Sequence, residues 1–94
     1  MYLHMNDEKP YGDTYRIEFM RLCEAQEKAA GDFAAQTLYL REERAGRRAT
    51  STPPETRQRL ADEAAAEWLR LAGEIEELNR AEYRKKEAAE RASR

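Results

Sequence analysis

Two side chains in this sequence, His4 and Cys23, belong to the types that bind metals or form a catalytic pair. The chain contains one histidine and one cysteine, whereas a zinc site needs several such ligands close together. A catalytic thiol needs a base within hydrogen-bond reach, and nothing in the sequence holds His4, in an irregular N-terminal stretch, beside Cys23. We therefore expect no metal site and no cofactor, and we expect Cys23 to be a buried structural residue.

The other residue types used in catalysis are spread along the chain. The 19 Asp and Glu residues recur at helical spacing as solvated faces, and no two of them stand out as an acid–base pair. The four glycines are isolated, so the sequence has no glycine-rich phosphate-binding loop. These observations predict no catalytic residue and no enzymatic activity.

Arginine is the residue type whose clustering suggests a binding site. Residues 41–59 carry six arginines against three glutamates, residues 60–79 carry six acidic side chains against one arginine, and residues 80–94 carry six basic side chains against three glutamates. Phosphate groups could be bound by the arginines around residues 45–60, which are Arg41, Arg44, Arg47, Arg48, Arg57 and Arg59. However, the net charge is −2 and residues 41–59 contain no aromatic ring to stack on a base. A solvated turn or a protein contact is therefore the preferred interpretation, and nucleic-acid binding is the alternative.

The composition is typical of long helices. The chain is 38% charged and 40% hydrophobic, with four glycines and three prolines in 94 residues, and much of the hydrophobic share is alanine. No apolar stretch approaches the roughly 20 residues that span a bilayer, so no membrane contact is expected. The first residues lack the basic and apolar regions of a signal peptide, and a single cysteine allows no intrachain disulfide. These features predict a cytoplasmic protein.

The pattern of apolar residues predicts a first helix over residues 13–45, preceded by an irregular arm over 1–12. Asp13 is the expected N-cap, and Gly46 is the expected end of the helix. An interior glycine, Gly31, weakens this helix by about 1 kcal/mol relative to alanine, and Asp32 could begin a new helix there. The apolar face runs through Gly31 unbroken, which favours one continuous helix. The predicted core or interface residues of this helix are Tyr15, Phe19, Leu22, Phe33 and Leu40.

A turn over residues 46–52 leads to a second predicted helix over 53–91, followed by a short tail over 92–94. Thr52 is the expected N-cap, with Pro53 as the first helical residue and Glu55 three positions after the cap. The predicted core or interface residues of this helix lie along one face, and they are Leu60, Trp68, Leu71, Ile75 and Leu78.

Two helices joined by a short turn predict an all-α antiparallel hairpin, in which facing residues have numbers that add to about 97. This register places Trp68 against Ala29 within the buried seam. Each apolar stripe is wider than one neighbouring helix covers, so we expect a homodimer that completes a coiled-coil-like four-helix bundle. The sequence thus favours a non-enzymatic, self-associating protein-binding module: an adaptor, an assembly factor, or an inhibitor of a host protein encoded by a mobile element. The alternative is a small nucleic-acid-associated regulator that uses the arginine-rich turn or the basic C-terminal tail.

Overall fold

The computed structural model describes residues 12–49 and 52–93 of the chain. Helix α1 spans Asp13–Arg44 and helix α2 spans Pro54–Ala92. The two helices pack against each other along their length, and no strand occurs in the described ranges. The predicted all-α helical hairpin is confirmed. His4, most of the predicted arm and two residues of the predicted turn lie outside the described residues.

The N-cap residues of both helices differ by one position from the sequence predictions: the cap of α1 is one residue earlier and the cap of α2 is one residue later. In α1 the N-cap is Gly12 and not Asp13, because the amide of Arg16 donates to the carbonyl of Gly12 at 3.2 Å. In α2 the N-cap is Pro53 and not Thr52, with Pro54 in the first turn. A residue that precedes proline is disfavoured in the α region, and Pro53 is accordingly extended, with φ −58° and ψ 144°.

The end of α1 is a Schellman motif centred on Gly46, as the sequence predicts. Gly46 has φ +75°, and its amide donates to the carbonyl of Glu43 at 3.1 Å. The amide of Arg47 donates to the carbonyl of Glu42 at 2.9 Å. These two bonds satisfy carbonyls that a helix end otherwise leaves without partners. Within α1 the helix continues through Gly31 without interruption.

Gly46→Ala should lower the free energy of unfolding by about 1–2 kcal/mol, because a Cβ at positive φ crowds the adjacent carbonyl oxygen. Gly73→Ala is the matched control, since this glycine lies inside α2 and its added Cβ would meet no atom within 4 Å. Alanine should there stabilise the helix by about 0.5–1 kcal/mol. Urea denaturation at a fixed protein concentration measures both effects. A Gly46→Ala variant as stable as the parent would contradict the left-handed assignment.

The buried seam between the helices is narrow. Its buried hydrophobic residues are Leu22, Ala29, Leu40, Ala61 and Leu71. Tyr15, Phe19, Leu60, Ile75 and Leu78 flank it and are half-buried. The molecule is one layer of helices thick, with a smallest dimension of 14 Å. Two helices alone therefore cover only the strip along which they touch.

The sequence register places Trp68 within the buried seam, but in the single chain both Trp68 and Phe33 lie at the edge of the seam, so they remain predicted interface residues. Trp68 is 40% exposed and Phe33 is 42% exposed. The physical reason is the width of the apolar stripes: the small side chains of Ala29 and Ala61 occupy the line of closest approach, and the large rings lie beside it. Cys23, expected to be buried, is half-buried and free.

Candidate protein-binding face

An apolar groove runs along one side of the hairpin, halfway between the turn and the open end. It has a volume of about 280 Å³ and is lined by Ala30 and Phe33 from α1 and by Ala65, Trp68 and Leu69 from α2. Leu69 is 66% exposed. We call the surface formed by these five residues the groove face. Every side chain that lines it is apolar, so it offers contact area to another hydrophobic surface and no group for chemistry.

Two further exposed hydrophobic residues of α1 lie on its outer side, pointing away from α2 and from the groove face. Met20 is 60% exposed and Leu38 is 48% exposed. They are 18 residues apart, which is five turns of an α-helix, so they share one side of α1. A shallower depression toward the turn is lined by Phe33, Leu40 and Ala61 together with the polar side chains of Thr37, Arg41, Arg44 and Gln58.

The opposite side of the hairpin is charged. On α1, Arg21 pairs with Glu18, and on α2, Arg70 pairs with both Glu67 and Glu74. At 100° per residue, Glu67, Arg70 and Glu74 fall on the other side of Leu71 from Trp68 and Leu69. Hydrogen bonds from the arginines lower the pKa of Glu18 and of Glu67 below the usual glutamate range. On this charged face the side chains pair with one another and remain exposed to water. The groove face has no such polar side chains.

Near the turn, Arg57 of α2 is held among side chains of α1. Its Nε donates to Glu43 Oε2 at 3.0 Å, and one of its terminal nitrogens donates to Gln36 Oε1 at 3.1 Å. The guanidinium also lies over the ring of Tyr39, at 4.9 Å from the centroid, and Arg48 lies over the same ring at 4.4 Å. Gln36, Tyr39, Glu43, Arg48 and Arg57 form what we call the turn cluster. It ties the beginning of α2 to the last turns of α1.

The ion pair of the turn cluster is buried. The side chains of Arg57 and Glu43 are 15% and 3% exposed. Glu43 Oε1 has no hydrogen-bond partner in the described part of the chain. The carboxylate of Glu43 therefore depends on Arg57 for compensation of its charge.

Most of the arginines proposed as phosphate contacts are engaged within the hairpin. Besides Arg48 and Arg57 in the turn cluster, Arg47 pairs with Glu42 at 3.1 Å and Arg59 pairs with Glu63 at 3.0 Å. The hydrogen bond from Arg47 lowers the pKa of Glu42. The remaining two, Arg41 and Arg44, line the depression beside the groove face. The arginines around residues 45–60 are thus divided between structuring the turn and bordering an apolar surface.

At the end of the hairpin opposite the turn, a side-chain hydrogen bond joins α1 to α2. The hydroxyl of Tyr15 donates to Asn79 Oδ1 at 2.7 Å, and the Tyr15 ring stacks on Phe19 at 5.8 Å between centroids. The pairs Tyr15–Asn79 and Gln36–Arg57 have numbers that add to 94 and 93, close to the register of about 97 inferred from the sequence. Contacts at both ends therefore place the two helices in one continuous alignment.

The turn cluster is the feature that the sequence prediction missed. From the sequence alone, Arg57 is a candidate phosphate or partner contact, and Gln36, Tyr39 and Glu43 carry no predicted role. The predicted register contained a signal: it places Arg57 opposite position 40, between Gln36 and Glu43, which lie one helical turn to either side.

No other kind of site emerges from the described residues. They contain no group of three or more His, Cys, Asp and Glu side chains arranged to hold a metal ion. Neither α1 nor α2 has a stretch long and apolar enough to cross a membrane. No known protein family matches the chain, and no curated protein or solved structure is significantly similar to it. The groove face is therefore the surface on which a functional proposal rests.

Proposed function

We propose that this protein is a non-enzymatic binding module that associates with a second copy of itself into a four-helix bundle and presents a helical surface to a protein partner. The observation that carries the proposal is the groove face. Phe33, Trp68 and Leu69 are exposed there on one side of the hairpin, while the other side is covered by ion pairs. An asymmetry of this kind is typical of a surface that another protein covers.

The energetics of a two-helix unit support self-association. Five hydrophobic residues of the described chain are buried, and two of them are alanines. A core this small contributes too little to offset the conformational entropy of two long ordered helices. A second hairpin laid on the groove face would supply the second layer that a stable domain needs. A symmetric pair is the simplest solution, because one self-complementary surface serves both chains.

Such a module would act by binding, as an adaptor, an assembly factor or an inhibitor of a host protein encoded by a mobile element. We place it in the cytoplasm, where the free thiol of Cys23 would stay reduced. The charged face and the basic C-terminal segment of a four-helix bundle would remain available to the partner.

Nucleic-acid binding through the arginine-rich turn is the weaker candidate. A phosphate contact needs guanidinium groups that are free to meet the backbone, and Arg47, Arg48, Arg57 and Arg59 are in contact with residues of the hairpin. Their contacts favour a role in holding the turn together.

Leu69→Glu should convert the protein from a dimer to a single chain, because a buried glutamate without a partner is strongly unfavourable in an interface core. Ile17→Glu is a matched control: Ile17 is 67% exposed and Leu69 is 66% exposed, but Ile17 lies away from the groove face. Light scattering after size-exclusion chromatography should give a dimer mass for the parent and for Ile17→Glu, and the mass of one chain for Leu69→Glu. Equal masses for the two variants would contradict the proposal.

A further inference from the structure

The depression near the turn combines an apolar floor with a basic rim. It has a volume of about 580 Å³, and its apolar lining comes from Phe33 and Leu40 of α1 and Ala61 of α2. The charged residues that line it are Arg41 and Arg44, which are three positions apart and therefore neighbours on the surface of α1. The depression thus presents two positive charges beside hydrophobic surface.

The guanidinium groups of this rim are not used within the hairpin. In the described part of the chain, Arg41 and Arg44 form no hydrogen bond and no ion pair, and the glutamates between them in the sequence pair with other arginines. Arg44 also borders a neighbouring depression that contains Glu55 and Asp62, but it pairs with neither of them. The carboxylate of Asp62 accepts a hydrogen bond from the amide of Gln58 instead. Arg41 and Arg44 are therefore available to carboxylates from outside the chain.

We propose that this depression binds an acidic amphipathic helix of the protein partner, which places an apolar side chain on the floor and carboxylates on Arg41 and Arg44. A guanidinium group pairs with a carboxylate through two parallel hydrogen bonds. Acidic residues one helical turn apart on the partner match the spacing of the two arginines. A helix bound in a groove is anchored by its apolar side chains, and complementary charge selects which helix binds. This inference rests on the proposed function, names the chemistry of its partner, and requires the arginine rim to stay open when the second copy is bound.

A nucleic-acid backbone would use only part of this surface. Its phosphates would pair with Arg41 and Arg44, but they have no apolar group to cover the ring of Phe33, which is 42% exposed. Burial of apolar against apolar surface favours a partner that brings hydrophobic side chains together with its negative charge.

Fluorescence anisotropy with three short labelled peptides tests the proposal. The peptides share one helical apolar face and differ at the flanking positions, which carry glutamate, glutamine or lysine. The parent protein should bind the glutamate peptide about tenfold more tightly than the glutamine peptide, the combined effect of two exposed ion pairs, and the lysine peptide most weakly. The variant with Arg41→Gln and Arg44→Gln should bind the glutamate and glutamine peptides equally. The variant with Arg41→Lys and Arg44→Lys keeps both charges and should retain most of the preference.

Arg16→Gln combined with Arg84→Gln is the matched control, because it removes the same charge from exposed residues at the opposite end of the hairpin. This control should keep the tenfold preference for the glutamate peptide. Loss of the preference in the control as well would assign it to net charge and overturn the proposal. Absence of a preference in the parent protein would also overturn it, and that comparison requires no variant to fold.

A short DNA duplex in the same assay covers the nucleic-acid alternative. Tighter binding of the duplex than of the glutamate peptide, lost in the variant with Arg41→Gln and Arg44→Gln, would overturn the proposal in favour of a phosphate ligand. Light scattering on the same samples separates the inference from the proposed function. A dimer mass without the peptide preference overturns the acidic partner and leaves self-association standing, whereas the mass of one chain with the preference overturns self-association and supports the acidic partner.

Discussion

Arg57→Ala should lower the free energy of unfolding by about 3–5 kcal/mol, the cost of leaving one member of a buried ion pair without its partner. The side chain of Glu43 is 3% exposed, and Arg57 is the cation that pairs with its carboxylate. The variant also removes the hydrogen bond to Gln36 and one of the two guanidinium groups over Tyr39. Urea denaturation at matched protein concentration measures the loss, because the stability of a self-associating protein depends on concentration.

Arg59→Ala provides the control for this prediction. Arg59 is two positions from Arg57 and pairs with Glu63, but the side chains of both residues are 60% exposed. Arg59→Ala should therefore lower the free energy of unfolding by only about 0 to 1 kcal/mol. The combined change Arg57→Met with Glu43→Leu should recover most of the stability, because a hydrophobic pair replaces a buried ion pair with little cost. Equal effects for Arg57→Ala and Arg59→Ala would contradict the burial of the turn cluster.

Trp68→Ala should weaken the dimer by at least about 2 kcal/mol, which is roughly a thirtyfold increase in its dissociation constant. Trp68 is 40% exposed in one chain and lines the groove face, where a second copy would cover it. Large aromatic side chains at the centre of an interface are the ones whose truncation costs most. A dilution series followed by light scattering measures the dissociation constant.

Ile17→Ala is the control for this change, because Ile17 is exposed away from the groove face and should leave the dissociation constant unchanged. In the parent protein, the fluorescence of Trp68 should shift to longer wavelength on dilution, as the ring becomes exposed to water. Loss of secondary structure in Trp68→Ala without any change in self-association would indicate that the ring serves the hairpin and not the interface.

The helices of this protein could be predicted from the sequence because their signals are local. The spacing of apolar residues and the position of Gly46 are properties of neighbouring residues, and the left-handed conformation of this glycine follows from its place after the last helical turn. The predicted start of α2 is one residue too early because two consecutive prolines compete for the first helical position. Pro53 is a suitable first helical residue by itself, but Pro54 after it keeps Pro53 extended.

The side-chain environment could not be predicted in the same way. The apolar periodicity shows that Phe33 and Trp68 lie on the helix faces directed toward the other helix. It does not show how much of each ring a single neighbouring helix covers. Likewise, the arginine-rich segment has the charge of a phosphate-binding turn. Only the packing of α2 against α1 places Arg57 between Gln36 and Glu43 and over the ring of Tyr39. Those contacts give Arg57 a structural role that the residues next to it in the sequence do not reveal.

Self-association through the groove face is tested most directly by the mass of the unmodified protein in solution. Light scattering after size-exclusion chromatography at micromolar concentration should give twice the 11.0 kDa of one chain. A mass of one chain, with cooperative unfolding at the same concentration, would contradict it, because the hairpin would then be stable with Phe33, Trp68 and Leu69 left uncovered by a second copy.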